Sequence, residues 1–323
     1  MKEKVGIFFL SLFLFNILNS TVIVTHGAWG DEMEWYRPGG YFHEALKVPA
    51  QTMGQTIQAF TWKQSLGGIT HRERLNAAKD LAKLIVDLNN KGEKEIILIG
   101  HSYGGHVIKA ASQLLAVALD FQTAQVPIIS QDKNNLVSDK IANTQEWDQK
   151  YYEQVCTEVK EYNKLHPVSK SLNSDCLMDR VYTLGTPNDI PDYEANMKVV
   201  GCLFNFYSKG DLVQDLVGDH LLPEPKNDRA ANLEVKIKGT GWFGLTNKPG
   251  HMKMHSEIIA KWILYIPFYL MTDKKTGFDK FNFERNGLVK FAENKTPTYS
   301  YTKSTMIDYL SWDYIKELLG IKV

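Results

Sequence analysis

From residue 20 onward, short β-branched apolar runs alternate with longer stretches of helical spacing. "TVIVTHGAWG" (21–30) predicts a strand that ends at a glycine. "RERLNAAKDLAKLIVDLNNKG" (72–92) puts Leu75, Ala78, Leu81, Ala82, Ile85 and Leu88 on one helical face, with Gly92 as its stop. "KEIILIG" (94–100) holds an unbroken apolar run from Ile96 to Ile99, as a strand buried on both faces does, and "HVIKAASQLLAVAL" (106–119) returns to helical spacing. Strand, connection, helix, strand and helix in that order predict an α/β fold: a mostly parallel sheet with helices on both faces.

The pattern changes between about Asp120 and Met178, where Gln, Asn, Asp, Lys and Tyr dominate and only "EWDQKYYEQVCTEVKEYNKL" keeps a weak helical period. This stretch reads as an insertion, either a lid over a site or a solvated decoration. The strand rhythm resumes in "RVYTLGTP" (180–187), "VVGCLFNFYSKGD" (199–211) and "NLEVKIKG" (232–239). "SEIIAKWILYIPFYLM" (256–271) predicts a buried helix that Pro267 kinks or shortens. Residues 273–323 form a polar, aromatic-dotted C-terminal extension, which leaves residues 21–272 as the main domain.

At the other end, "MKEK" precedes "VGIFFLSLFLFNIL", a positive end and an apolar block of secretory length. Residues 1–20 therefore predict an exported or membrane-anchored protein. Ser20 would serve as the small residue at a cleavage site, whereas Leu18 is a poor −3 residue, so cleaved leader and retained anchor both stay open. A retained leader would give membrane association through this segment.

Charge narrows the partners. With 37 basic and 37 acidic residues the net charge is zero, which leaves no cationic surplus for nucleic acid. The three cysteines, Cys156, Cys176 and Cys202, show neither metal-ligand nor CxxC spacing.

Candidate chemistry begins at "GHSYG" (100–104), a G-x-S-x-G set between a predicted buried strand and a predicted helix. A serine at such an elbow must adopt a strained backbone to present its hydroxyl, and Gly100 and Gly104 leave room for the crowded strand and helix. Gly105 lets that helix pack closely. The hydroxyl needs a base, and the base needs an acid. Asp211 closes the strand "FNFYSKGD", with Asp189, Asp215 and Asp219 as alternatives. His220, His251 and His255 follow it. His220 precedes a strand, whereas His251 follows Pro-Gly in a loop and is preferred as base, with His255 as the alternative. An H-x-x-x-H metal pair is disfavoured because neither the H-E-x-x-H glutamate nor a third ligand is evident. For an oxyanion hole the donors would be the backbone N–H of Tyr103 and that of Ala28 or Trp29 in "THGAWG". His26 would brace that loop.

With a strand-"HG", G-x-S-x-G, a late Asp and a later His in order, residues 21–271 resemble the α/β-hydrolase superfamily of serine esterases and lipases. "TLGTPN" (183–188) is similar to the "LGTP" segment of its lipase-type branch, and "HGAWGDEMEWYRPGGYF" (26–42) to the opening of small bacterial hydrolases in it. The resemblance implies a nucleophile at Ser102, an acid at Asp211, a base at His251 or His255, oxyanion donors at Ala28 and Tyr103, and no cofactor. It also implies a minimal sheet of about six strands, since extra strands before the "HG" strand are lacking. Trp29, Trp35 and Tyr36 would line a pocket for a small-molecule or lipid ester, or else belong to the core. An amidase or thioesterase with the same triad, or a binding protein that has lost catalysis, are the alternative functions.

Overall fold

A computed structural model describes residues 20–28, 30–64, 70–121, 149–168, 176–188, 194–217, 229–239, 247–267, 286–293 and 295–301. Eight strands form one sheet: β1 (Ser20–Thr25), β2 (Thr56–Phe60), β3 (Glu95–His101), β4 (Met178–Leu184), β5 (Val200–Tyr207), β6 (Ala230–Ile237), β7 (Asn286–Ala292) and β8 (Lys295–Tyr301). Their spatial order is β2-β1-β3-β4-β5-β6-β7-β8. Every pairing is parallel except the last, β7 with β8.

The middles of β1 and β3 are apolar on both sides because both faces of the sheet are covered. In β1, Val22 and Val24 enter one core and Ile23 the other; in β3, Ile97 and Ile99 oppose Ile96 and Leu98. The first core lies under α2 (His71–Asn90), α3 (Tyr103–Ala118) and α4 (Gln149–Leu165). The second lies under α1 (Tyr41–Thr52), a 3₁₀ turn at His251–His255 and the short α6 (Glu257–Ala260).

The helix predicted at 72–92 buries the expected face and starts at a capping box. Thr70 Oγ1 accepts from the Glu73 N–H at 3.2 Å, and Glu73 Oε2 accepts from the Thr70 N–H at 2.7 Å. Such a cap contributes ~1 kcal/mol.

The structure corrects the expected sheet of about six strands to eight. β2 is an edge strand without a fully buried residue, so its sequence carries no alternation. β7 and β8 lie in the C-terminal extension, which thus builds part of the sheet: Val289 and Phe291 are each 1% exposed and enter the second core. Within the inserted stretch, α4 is part of the wall rather than a lid. Its Tyr152, Val155, Cys156 and Val159 lie in the first core, and Tyr162 Oη donates to Asp87 Oδ1 at 2.7 Å. Residues 122–148 and 169–175 of the expected insertion lie outside the described residues, as do residues 1–19 of the leader and Trp29; Ser20, the last residue of the expected leader, begins β1.

The helix predicted at 256–271 is interrupted: α6 gives way to a 3₁₀ turn at Ile263–Tyr265. Residues 268–271 lie outside the described residues. Among the described residues no helix is long and apolar enough to cross a membrane.

Candidate active site

The carboxyl ends of β1, β3 and β4 are level: Thr25 is in register with Gly100, and His101 with Leu184. From β1 the chain runs to α1 on one face, and from β3 to α3 on the other. The crevice between β1 and β3 is therefore a topological switch point, where open α/β sheets bind their ligands.

Ser102 stands in this crevice between β3 and α3, with φ 53° and ψ −129°. A non-glycine residue in such a conformation stores about 1–3 kcal/mol and must be held there by its surroundings. Its N–H donates to Leu184 O at 2.9 Å, and its carbonyl accepts from Thr186 Oγ1 at 2.9 Å and Gly105 N at 3.0 Å. The crowding expected around the elbow is present. A Cβ at Gly104 would lie 2.5 Å from His26 O, and one at Gly27 would lie 2.5 Å from Ser102 Cβ. The "HG" loop is thus in direct contact with the serine.

Asp211 follows β5, the base candidates follow β6, and the structure brings Asp211 and His251 together. The carboxylate is fully buried. His251 Nδ1 lies 2.8 Å from Asp211 Oδ2 and 3.0 Å from Oδ1. A carboxylate can only accept here, so Nδ1 carries the proton and Nε2 presents its lone pair. The N–H groups of Val213 and Gln214 donate to Asp211 Oδ1, both at 3.1 Å, and fix the carboxylate's orientation. These two residues belong to α5 (Leu212–Val217). The "LGTP" glycine has a local reason as well. Gly185 has φ +58°, and a Cβ there would meet Asp211 Oδ2 at 2.8 Å and His251 Nδ1 at 3.3 Å.

His255 does not share the carboxylate. Its Nδ1 is 2.6 Å from Tyr41 Oη, and its ring stacks on Trp35 with centroids 4.2 Å apart. Burial pushes its pKa down to about 4. The neighbouring His101 occupies an x position of G-x-S-x-G, to which the motif assigns no role. Its Nε2 donates to His251 O at 3.1 Å, and its ring lies 4.6 Å from that of His251 and 4.5 Å from that of His255. Burial, then the two adjacent imidazoles, holds His101 well below the usual histidine range. Strand alternation could have found it, because position 101 shares the face of Ile97 and Ile99, against which the 251–255 turn packs.

Trp35 and Tyr36, read as pocket or core, are core. They are 4% and 0% exposed. Trp35 meets His255 and, edge-on at 5.7 Å, His101, while Tyr36 Oη pairs with Thr61 Oγ1 at 2.9 Å. His26 braces the first loop: the Trp62 N–H donates to its Nε2 at 3.2 Å, so Nδ1 holds the proton and donates to Gly27 O at 2.9 Å. Ala28 follows in the turn, half-buried, and Tyr103 opens α3, where the first N–H groups have no intrahelical acceptor.

Thr186 ties Ser102 to the segment of Asp211. Its hydroxyl donates to Ser102 O, and its own carbonyl accepts from Gln214 Nε2 at 2.8 Å, on the helix that holds Asp211. Behind it runs a buried polar chain that no local pattern announces: Lys109 Nζ donates to Asn188 Oδ1, Asn188 Nδ2 to Asn205 Oδ1 at 3.2 Å, and Asn205 Nδ2 to Asn232 Oδ1 at 2.8 Å. Burial lowers the Lys109 amine to about 7. Ser102 Oγ makes no hydrogen bond to His251 among the described residues; His101 joins the two segments instead.

The chain has the α/β-hydrolase fold. Strand order, an elbow after β3, an acid after β5 and a histidine after β6 carry that statement. No protein-family model and no curated protein matches the sequence. Among solved structures, the chain is similar to a lipase/esterase from Lactobacillus plantarum at 8% identity and a TM-score of 0.31, covering 78% of this chain and 76% of that one. It is also similar to an extracellular α/β-hydrolase from a Paenibacillus species at 15% identity and a TM-score of 0.28, covering 77% and 98%. Overlaps this loose carry no weight for activity.

Among the described residues no group of three or more His, Cys, Asp or Glu side chains could hold a metal ion.

Proposed function

We propose that the protein is a serine hydrolase that cleaves carboxylic esters through an acyl-enzyme on Ser102. The observation that carries this reading is the Asp211–His251 hydrogen bond, in the correct tautomer, at the strand edge where Ser102 is displayed. His251 Nε2 takes the hydroxyl proton as Ser102 Oγ attacks the ester carbonyl, and the backbone N–H groups of Ala28 and Tyr103 receive the oxyanion. Asp211 orients the imidazole and stabilises its cation. The proton passes to the departing alcohol, and water, activated by the same histidine, releases the acid and restores the serine. The Ser102–His251 hydrogen bond forms as substrate closes the site, since such bonds tighten in the reactive complex.

Export or anchoring through residues 5–18 completes the reading and rests on the apolar block alone.

The test is covalent labelling by a fluorophosphonate, read by mass spectrometry, together with turnover of an ester panel. Modification at Ser102 and ester hydrolysis, both lost in Ser102→Ala and Asp211→Asn, are expected. The loss in kcat should be at least about 10³-fold. A folded wild-type protein that neither labels nor turns over any ester would overturn the proposal in favour of a hydrolase fold used for binding.

A further inference from the structure

The turn carrying His251 is edged by an exposed surface of one kind. Seven large apolar side chains are exposed among the described residues, and four of them gather here. Met252, 50% exposed, follows the histidine; Leu212 and Val213, 70% and 39% exposed, follow its acid. Tyr41, 43% exposed, reaches the same turn through its hydroxyl contact with His255. Three segments distant in sequence supply them, so the grouping is tertiary. The segments abut: a Cβ on Gly210 would lie 2.8 Å from Lys248 Cβ.

Exposed lysines are interleaved with these side chains: Lys209, Lys248 and Lys253. The carboxylates alongside are already matched. Glu234 is shared by Lys209 at 3.0 Å and Lys236 at 3.7 Å, and Glu257 lies 3.8 Å from Lys261. Lys248 and Lys253 form no ion pair among the described residues. The chain as a whole is neutral, so this is local segregation of charge.

We infer that this surface docks on an anionic lipid bilayer, with Leu212, Met252 and Tyr41 entering the headgroup boundary and the lysines staying at the phosphates. Clustered exposed apolar side chains mark an interaction surface. The composition selects the partner: protein interfaces are depleted in lysine and favour arginine, whereas the patch, among the described residues, holds lysine and no arginine. Lysines lay their stems along an apolar boundary and keep the ammonium among headgroups, and tyrosine prefers that depth. Apolar insertion and attraction to anionic lipid then add.

The experiment uses full-length Ser102→Ala protein, so that docking is judged separately from hydrolysis. Co-sedimentation with phosphatidylcholine vesicles, with and without phosphatidylglycerol, should show retention that requires the anionic lipid and weakens in salt. Lys248→Gln and Lys253→Gln should each reduce binding about five-fold. Leu212→Ser with Met252→Ser should reduce it at every salt concentration, with an unchanged near-UV circular dichroism spectrum. A fluorophore on Met252→Cys, in a Cys176→Ser background, reads the patch itself and should be quenched by nitroxide-labelled lipid. Vesicle binding without that quenching would assign the contact to the apolar leader and overturn the inference. So would absence of vesicle binding, or a fluorophore that responds only to self-association of the chain.

Discussion

His101 Nε2 donates to the backbone carbonyl of His251 across 3.1 Å, joining the residue before Ser102, the proposed nucleophile, to its proposed base. The motif thus reaches across the crevice to anchor its own partner. His101→Phe keeps an aromatic ring and removes the donor, leaving a partly buried carbonyl without this partner at a cost of about 1 kcal/mol. We expect kcat to fall about ten-fold with KM unchanged, and His101→Gln to recover part of the loss. Steady-state kinetics on both variants, with the fluorophosphonate labelling rate, check this.

The two late histidines separate by chemistry. His251→Ala should abolish labelling of Ser102 and reduce kcat by about 10³-fold or more. His255→Phe preserves the stack on Trp35 and should stay within about ten-fold of wild type. His255→Ala empties a buried site and should cost about 2–5 kcal/mol of stability by denaturant unfolding. The reverse pattern would make His255 the base.

Stability should depend on acid in a defined window. His255 has a folded pKa of about 4 against an ordinary 6.5, because burial disfavours its cation. Between those values the unfolded chain binds a proton that the folded chain does not. Its contribution is therefore complete above pH 6.5 and is lost as pH falls towards 4, to a total of about 3 kcal/mol. His71, pushed down to about 3 by burial and Arg74, adds to the slope in the same direction. Tm measured from pH 7 to 4 should fall, and less steeply in His255→Phe.

Gly185→Ala places a methyl group 2.8 Å from Asp211 Oδ2 in a backbone with φ +58°. Strain and contact act on the same atoms, so we expect about 1–3 kcal/mol of destabilisation and a kcat reduced more than ten-fold. Gly92→Ala, at φ +86° with open space around it, should show the strain without the loss of turnover.

What the sequence made legible was written locally. Ser102 sits between crowded glycines, Asp211 closes an apolar strand, and His251 follows Pro-Gly, so each announces itself within ten residues. The eight-strand sheet was less legible at its edges. β2 has no buried face to impose alternation, and β7 offers only Val289 and Phe291 to the core. The role of α4 as wall depends on Tyr152, Val155 and Val159 meeting helices more than thirty residues away, which no local period reports. Trp35 and Tyr36 stood beside the oxyanion loop in sequence. The chain doubles back there, the Phe42 and His43 N–H groups donating to Trp35 O, and turns both rings inward.

The bond from His101 to His251 spans 150 residues. During synthesis at roughly 5–20 residues per second, the G-x-S-x-G elbow leaves the ribosome about 7–30 s before the turn that completes it. Leu184, which holds the serine N–H, also comes later. On the proposed mechanism, a nascent chain, or a fragment ending before residue 250, carries Ser102 with nothing to take its proton. Competence is a property of the finished chain, acquired when its late strands dock.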